Sequence, residues 1–234
     1  MHGMQIETWR TSRRVYPGLA LLILALTVFA GCASEGKGKA LVANEAPVYN
    51  GPSITRLENG REGFIIREVP RLNEKSRKDF DRAVVMLKGR DYPHAIGLLE
   101  KVIDNSPGVT APYIDIAIAY QQTGKPEQAE KYLKTALKLL PDHPAAGNEY
   151  GLLYCKTGRF ADARAIYEKV LARFPDYYPA QRNLGILCDL YLNDPSCALE
   201  HYEIYSKARP DDAQVKLWIA DLRTRLGLRQ GGLR

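Results

Sequence analysis

The chain has 234 residues, 45% of them hydrophobic, and a formal net charge of +6. That basic excess is mild and scattered, which excludes a nucleic-acid surface, since such surfaces need clustered lysine and arginine. No G-x-S-x-G, Walker loop, dinucleotide fingerprint or H-E-x-x-H motif occurs, and His2, His94, His143 and His201 stand apart from one another and from any metal-spaced cysteine pair. The residues therefore predict no enzyme, no cofactor and no metal site. His143, in an inter-repeat turn, and His94, at the start of a second helix, read as solvated surface residues.

Chain order begins with an address. Arg10, Arg13 and Arg14 form a basic segment, 19–30 is almost wholly apolar, and Ala30-Gly31-Cys32 comes next. The apolar run has the length of a signal-peptide core and is short for a membrane span. Small residues before a cysteine resemble the lipobox of bacterial lipoproteins, with Phe29 standing where leucine is usual. The resemblance implies a signal peptide over 1–31, diacylation of Cys32 and attachment to a membrane through lipid. The alternative is an ordinary secretory signal or an anchor helix with an incidental cysteine. Ala33 follows Cys32 and no aspartate stands at that position, so the resemblance implies the periplasmic face of the outer membrane. Ser12-Arg13-Arg14 also faintly resembles a twin-arginine signal, although Pro17 falls where an apolar residue is preferred. Loss of the leader removes three arginines and one glutamate and lowers the charge from +6 to +4.

Residues 32–70 read as a tether. Gly36-Lys37-Gly38-Lys39 is flexible in composition, and Asn59-Gly60 is a turn signal. The stretch 64–69 is more apolar than a tether requires and reads as a short strand or as a segment lying against the domain that begins at residue 71.

From residue 71 the chain keeps time. Pro107, Pro141, Pro175 and Pro210 recur at steps of 34, 34 and 35 residues, and Ala95, Ala129, Ala163 and Ala198 each lie 12 residues earlier. A fixed period of this size marks stacked supersecondary units. Tyr120 and Tyr154, Gly151 and Gly185, and Gly124 and Gly158 fall into the same register. Glycine at the end of a first helix accepts the left-handed conformation that stops it, and proline after a second helix prevents its continuation. In the first unit Arg90 takes the glycine position. In the fourth, an extra residue lies within Leu192-Asn193-Asp194-Pro195-Ser196, and Cys188 replaces the tyrosine. A further helix near 212–226 carries Val215, Trp218, Ile219 and Leu222 at helical spacing and reads as a cap. Residues 229–234 form a basic tail.

These positions together resemble the tetratricopeptide repeat pattern. The resemblance implies an all-α fold over 71–228, a right-handed solenoid of about four helix-turn-helix repeats and a capping helix. It also implies that the first helices line a concave groove, with Phe80 and Val84, then Ile114, Asp115, Ile118 and Gln122, then Asn148, Glu149 and Leu152, then Arg182, Asn183 and Ile186. Asp115 and Glu149 fall on successive first helices and read as groove lining, since no base or metal accompanies them. An apolar floor with polar edges fits a protein or peptide partner. The alternative is a floor packed against its neighbours or covered by 64–69. Cys188 and Cys197 bracket the irregular fourth turn; they read either as a disulfide clip or as two small buried residues. Leader and repeats together imply a scaffold in envelope assembly, by analogy with lipoproteins that help assemble the type IV pilus secretin. The second reading is an accessory subunit of an envelope transport or cell-wall-synthesis complex.

Overall fold

The computed structural model describes residues 52–57, 64–67 and 71–228. The leader, Cys32, most of the tether and the tail 229–234 lie outside the described residues. Within the tether region, β1 (Ser53–Arg56) and β2 (Phe64–Arg67) form a two-stranded sheet. The second strand falls in the apolar stretch 64–69. The first lies in a segment without a strand pattern.

The remainder is helical: α1 (Glu74–Lys88), α2 (Tyr92–Asn105), α3 (Thr110–Gln122), α4 (Pro126–Leu139), α5 (Pro144–Lys156), α6 (Phe160–Arg173), α7 (Tyr178–Leu190), α8 (Pro195–Ala208) and α9 (Ala213–Arg225). Local chemistry explains the boundaries. Asn73 Oδ1 accepts from Ser76 N at 2.8 Å, Asp194 Oδ1 from Cys197 N at 3.0 Å, and Asp212 Oδ1 from Val215 N at 3.1 Å, capping α1, α8 and α9. Pro93, Pro126, Pro144, Pro179 and Pro195 occupy the first two positions of α2, α4, α5, α7 and α8, where a missing N–H costs nothing. Pro107, Pro141, Pro175 and Pro210 each stand two residues beyond the last residue of α2, α4, α6 and α8. Gly124 and Gly158, with φ of 72° and 76°, end α3 and α5 in the left-handed region. Arg90 adopts the same conformation, φ 61°, after α1.

Each second helix buries a single stripe: Ala95, Leu99 and Val102 on α2; Ala129, Leu133 and Ala136 on α4; Ala163, Tyr167 and Val170 on α6. The spacing i, i+4, i+7 places these residues on one face. Of the first helices, α3, α5 and α7 are enclosed more completely. On α5, the run Gly151 to Cys155 is buried without a break. Every helix packs on its successor, and α1, α3, α5 and α7 also pack in series. Among the described residues no such contact joins α2 to α4 or α4 to α6. First helices thus converge while second helices splay apart, so the row of first helices forms the inner face of a helical-hairpin solenoid.

Two glycines set hairpin spacing. A Cβ at Gly151 would lie 2.6 Å from Tyr167 Cε1, and one at Gly185 would lie 2.6 Å from Tyr202 Cδ1. Both rings are buried. The tyrosine ring therefore fills the volume that a methyl group would need.

Inner face of the helical array

Register places the inner-face residues in rows. Phe80, Ile114, Asn148 and Arg182 occupy one position of successive first helices. Asp81, Asp115, Glu149 and Asn183 occupy the next, and Val84, Ile118, Leu152 and Ile186 the third. The apolar members are mostly not open to solvent. Phe80, Ile114, Ile118, Leu152 and Ile186 are all buried, and Ile114 and Ile118 pack with Tyr113, Ala136 and Ala146. Val84 is half-buried. The apolar stripe thus holds neighbouring hairpins together, and polar side chains form much of the lining.

Those polar side chains converge on α3, α5 and α7. Asn183 Nδ2 donates to Asn148 Oδ1 at 3.0 Å, and Asn148 Nδ2 donates to Glu149 Oε1 at 3.4 Å. Lys156 Nζ donates to Gln121 Oε1 at 3.3 Å. Glu149 Oε2 and Gln121 Nε2 are shut from solvent and have no hydrogen-bond partner. As residues, Asp115 and Glu149 keep some exposed surface, but helices crowd both carboxyls. Burial pushes the Asp115 carboxyl up to about 7, and the charge of Glu149 adds to the rise. Burial likewise raises Glu149 to about 7, against the opposing pull of Lys156 and the hydrogen bond from Asn148. A charge on Glu149 therefore disfavours ionisation of Asp115 on the neighbouring first helix.

The C-terminal end of the face is closed by α9. The Arg182 guanidinium lies 5.5 Å from the centre of the Trp218 ring, and Arg225 pairs with Asp189. At the other edge Gln122 is exposed at the end of α3. Gln121 stands one residue from an expected groove position; register alone does not show which of two adjacent glutamines turns inward. His143 requires a correction. It is not solvated but 4% exposed, and its Nδ1 accepts from Ala146 N at 3.2 Å as the N-cap of α5. Burial lowers its pKa to about 4, so the ring stays neutral and able to accept. His94 is exposed and pairs with Asp91.

Cys188 and Cys197 are joined by a disulfide with a Cα–Cα distance of 5.9 Å, bridging the end of α7 and the start of α8. Cys155 is a buried free thiol. Among the described residues, no group of three or more metal-ligating side chains is assembled, and no helix is long and apolar enough to cross a membrane.

Comparison with known proteins agrees with this architecture. The tetratricopeptide repeat family matches residues 114–178 and 151–188. PilF of Pseudomonas aeruginosa superposes with a TM-score of 0.61 at 20% identity, covering 69% of this chain and 78% of PilF. MamA of Desulfovibrio magneticus RS-1 gives 0.56 at 18% identity, covering 68% of this chain and 89% of the other. At such identities the likeness is one of fold. A probable UDP-N-acetylglucosamine–peptide N-acetylglucosaminyltransferase, SPINDLY of Petunia hybrida, is 28% identical over 127 residues. That match takes in 54% of this chain but only 14% of SPINDLY, within its repeat portion. Repeat register, serial packing of the first helices and family match agree: the chain is a tetratricopeptide repeat protein.

Proposed function

We propose that this protein is a lipid-anchored, non-catalytic scaffold that holds a protein or peptide partner on its inner face and supports assembly of a cell-envelope complex. The repeat fold is one that binds proteins. The observation carrying the reading is the inner face itself, where α3, α5 and α7 bring polar groups together and leave a buried carboxylate oxygen and a buried amide without partners. Buried polar groups of that kind take their hydrogen bonds from water or from a ligand, so the face suits a partner with polar groups to offer. The anchor rests on the sequence Ala30-Gly31-Cys32 after an apolar run. Attachment at the periplasmic face of the outer membrane rests on the residues after Cys32, and a role in pilus or secretin assembly rests on analogy. Regulation of an envelope transport or cell-wall-synthesis complex is the second reading, supported by the same face and the same anchor.

A crosslinked pull-down from membranes tests both halves. A Gln122→Arg/Asn183→Arg variant places bulk and charge on exposed and half-exposed inner-face positions without disturbing the buried stripe. It is expected to lose the partner while retaining wild-type circular dichroism. Retention of every partner would move the binding surface elsewhere. Cys32→Ala is expected to release the protein from the membrane fraction, and a variant that stays there would end the lipid-anchor reading.

A further inference from the structure

The inner face carries one row whose chemistry runs against the rest of the molecule. Asp81, Asp115 and Glu149 occupy one register position on α1, α3 and α5, in a chain whose net charge is +6. Asp81 is exposed and its charge is solvated. Asp115 and Glu149 lie between packed helices, close enough that the charge of one raises the pKa of the other. No ion pair from this chain reaches either carboxyl among the described residues. Lys156 acts on Glu149 through space, but its Nζ is bonded to Gln121, and the neutral hydroxyls of Tyr167 on α6 and Tyr177 just before α7 also feel the Glu149 charge. Arg182 of α7 is turned to Trp218 of α9. Glu149 Oε2 is left buried without a partner. Asn183 of α7 donates to Asn148, which in turn donates to the other oxygen of Glu149.

Two crowded carboxyls on neighbouring packed helices have two ways to relax. They take up protons, or they take up a cation from outside. A guanidinium or ammonium group supplies the missing charge and the missing donor together, and arginine has the planar fork that two carboxylates accept. We infer that the inner face receives one basic side chain of its partner, arginine or lysine, between Asp115 of α3 and Glu149 of α5. The occupant is a segment of another protein in which that residue is flanked by uncharged ones. This inference rests on the inner face being the docking surface. Seating the cation displaces whatever proton the pair holds, so binding near neutral pH releases protons, which an apolar contact does not do.

Panning a phage-displayed library of random dodecapeptides against the full chain tests the inference. Selected sequences are expected to share a lysine or arginine at one fixed position. Replacing that arginine by citrulline in a synthetic selected peptide weakens binding by about tenfold or more, as loss of one partner from a desolvated charge pair does. An Asp115→Asn/Glu149→Gln variant weakens the arginine peptide similarly and leaves the citrulline peptide unchanged. Calorimetry in two buffers of different ionisation enthalpy, near neutral pH, shows proton release for the wild type and none for the variant. Selected peptides without a basic residue, or equal binding of the arginine peptide to wild type and variant, overturn the inference. If Gln122→Arg/Asn183→Arg still abolishes selection in those cases, the docking surface stands and only its charge preference falls. If selection is indifferent to every inner-face substitution, both fall.

Discussion

The two halves of the repeat array solve one packing problem with different residues. In the first two hairpins the facing register positions are Ala83 with Leu99 and Ala117 with Leu133, all buried. In the last two they are Gly151 with Tyr167 and Gly185 with Tyr202, with each ring occupying the place of the missing methyl. The larger side chain on the second helix is matched by the smaller one on the first. A hairpin therefore conserves the volume between its helices and leaves open which helix supplies it.

The largest test of that comparison is to cross the halves. Gly151→Ala forces a Cβ into a fully buried ring and is expected to cost about 1–3 kcal/mol in chemical denaturation, the range for overpacking a core. Tyr167→Leu alone leaves a cavity and costs about 2 kcal/mol. Together they recreate the couple of the first two hairpins and are expected to recover at least about 1 kcal/mol relative to the sum. Additive losses would show that the halves differ in backbone spacing, not only in the division of volume.

The next effect separates the fourth hairpin from the others. Cys188 and Cys197 are nine residues apart across the turn carrying the extra residue. Closing so short a loop contributes about 2–3 kcal/mol in the chain-entropy account. Reduction, or Cys188→Ser/Cys197→Ser, is expected to lower the melting temperature by about 5 °C or more. An unchanged melting temperature would mean that the turn residues hold the fourth hairpin unaided.

The boundary between the halves has its own signature in pH. Native Asp115 and Glu149 keep protons that the unfolded chain releases, so their contribution to stability falls as pH rises from the ordinary carboxylate range to about 7. Asp115→Asn/Glu149→Gln is expected to raise the melting temperature by about 3 °C above pH 7, converging with the wild type in the ordinary carboxylate range. His143 runs the other way. Its native pKa of about 4 lies below the ordinary value, so its contribution is intact above pH 6.5 and is lost as pH falls toward 4. His143→Asn, which keeps a capping acceptor, is expected to flatten that acid limb. The smallest effect belongs to the first hairpin. Arg90→Gly places the residue used by the second and third hairpins at a left-handed position and is expected to stabilise by about 0.5–1 kcal/mol. A loss would mean that the arginine side chain contributes more than its backbone strain costs.

Much of the fold was legible because its markers are local. A proline two residues beyond a helix and a glycine at positive φ act through their own backbone, so Pro141, Pro175, Gly124 and Gly158 announce the hairpins from sequence alone. The same locality put the capping helix within a residue of where it stands, at Ala213–Arg225. Inner-face positions could be assigned by register, but not the work each one does. Ile114 and Ile118 read as floor and turn out to pack between hairpins, because neighbouring helices approach closely enough to cover them. His143 read as a solvated turn residue and is a buried cap, since burial of a turn depends on the next hairpin lying across it.

By itself the sequence determined the period and the helix boundaries, both of which depend on residues near one another along the chain. Tertiary structure decided the rest. It placed Asp115 and Glu149, one repeat apart, on neighbouring packed helices where burial raises both carboxyls, because solvation and the sum of neighbouring charges are properties of the packed array.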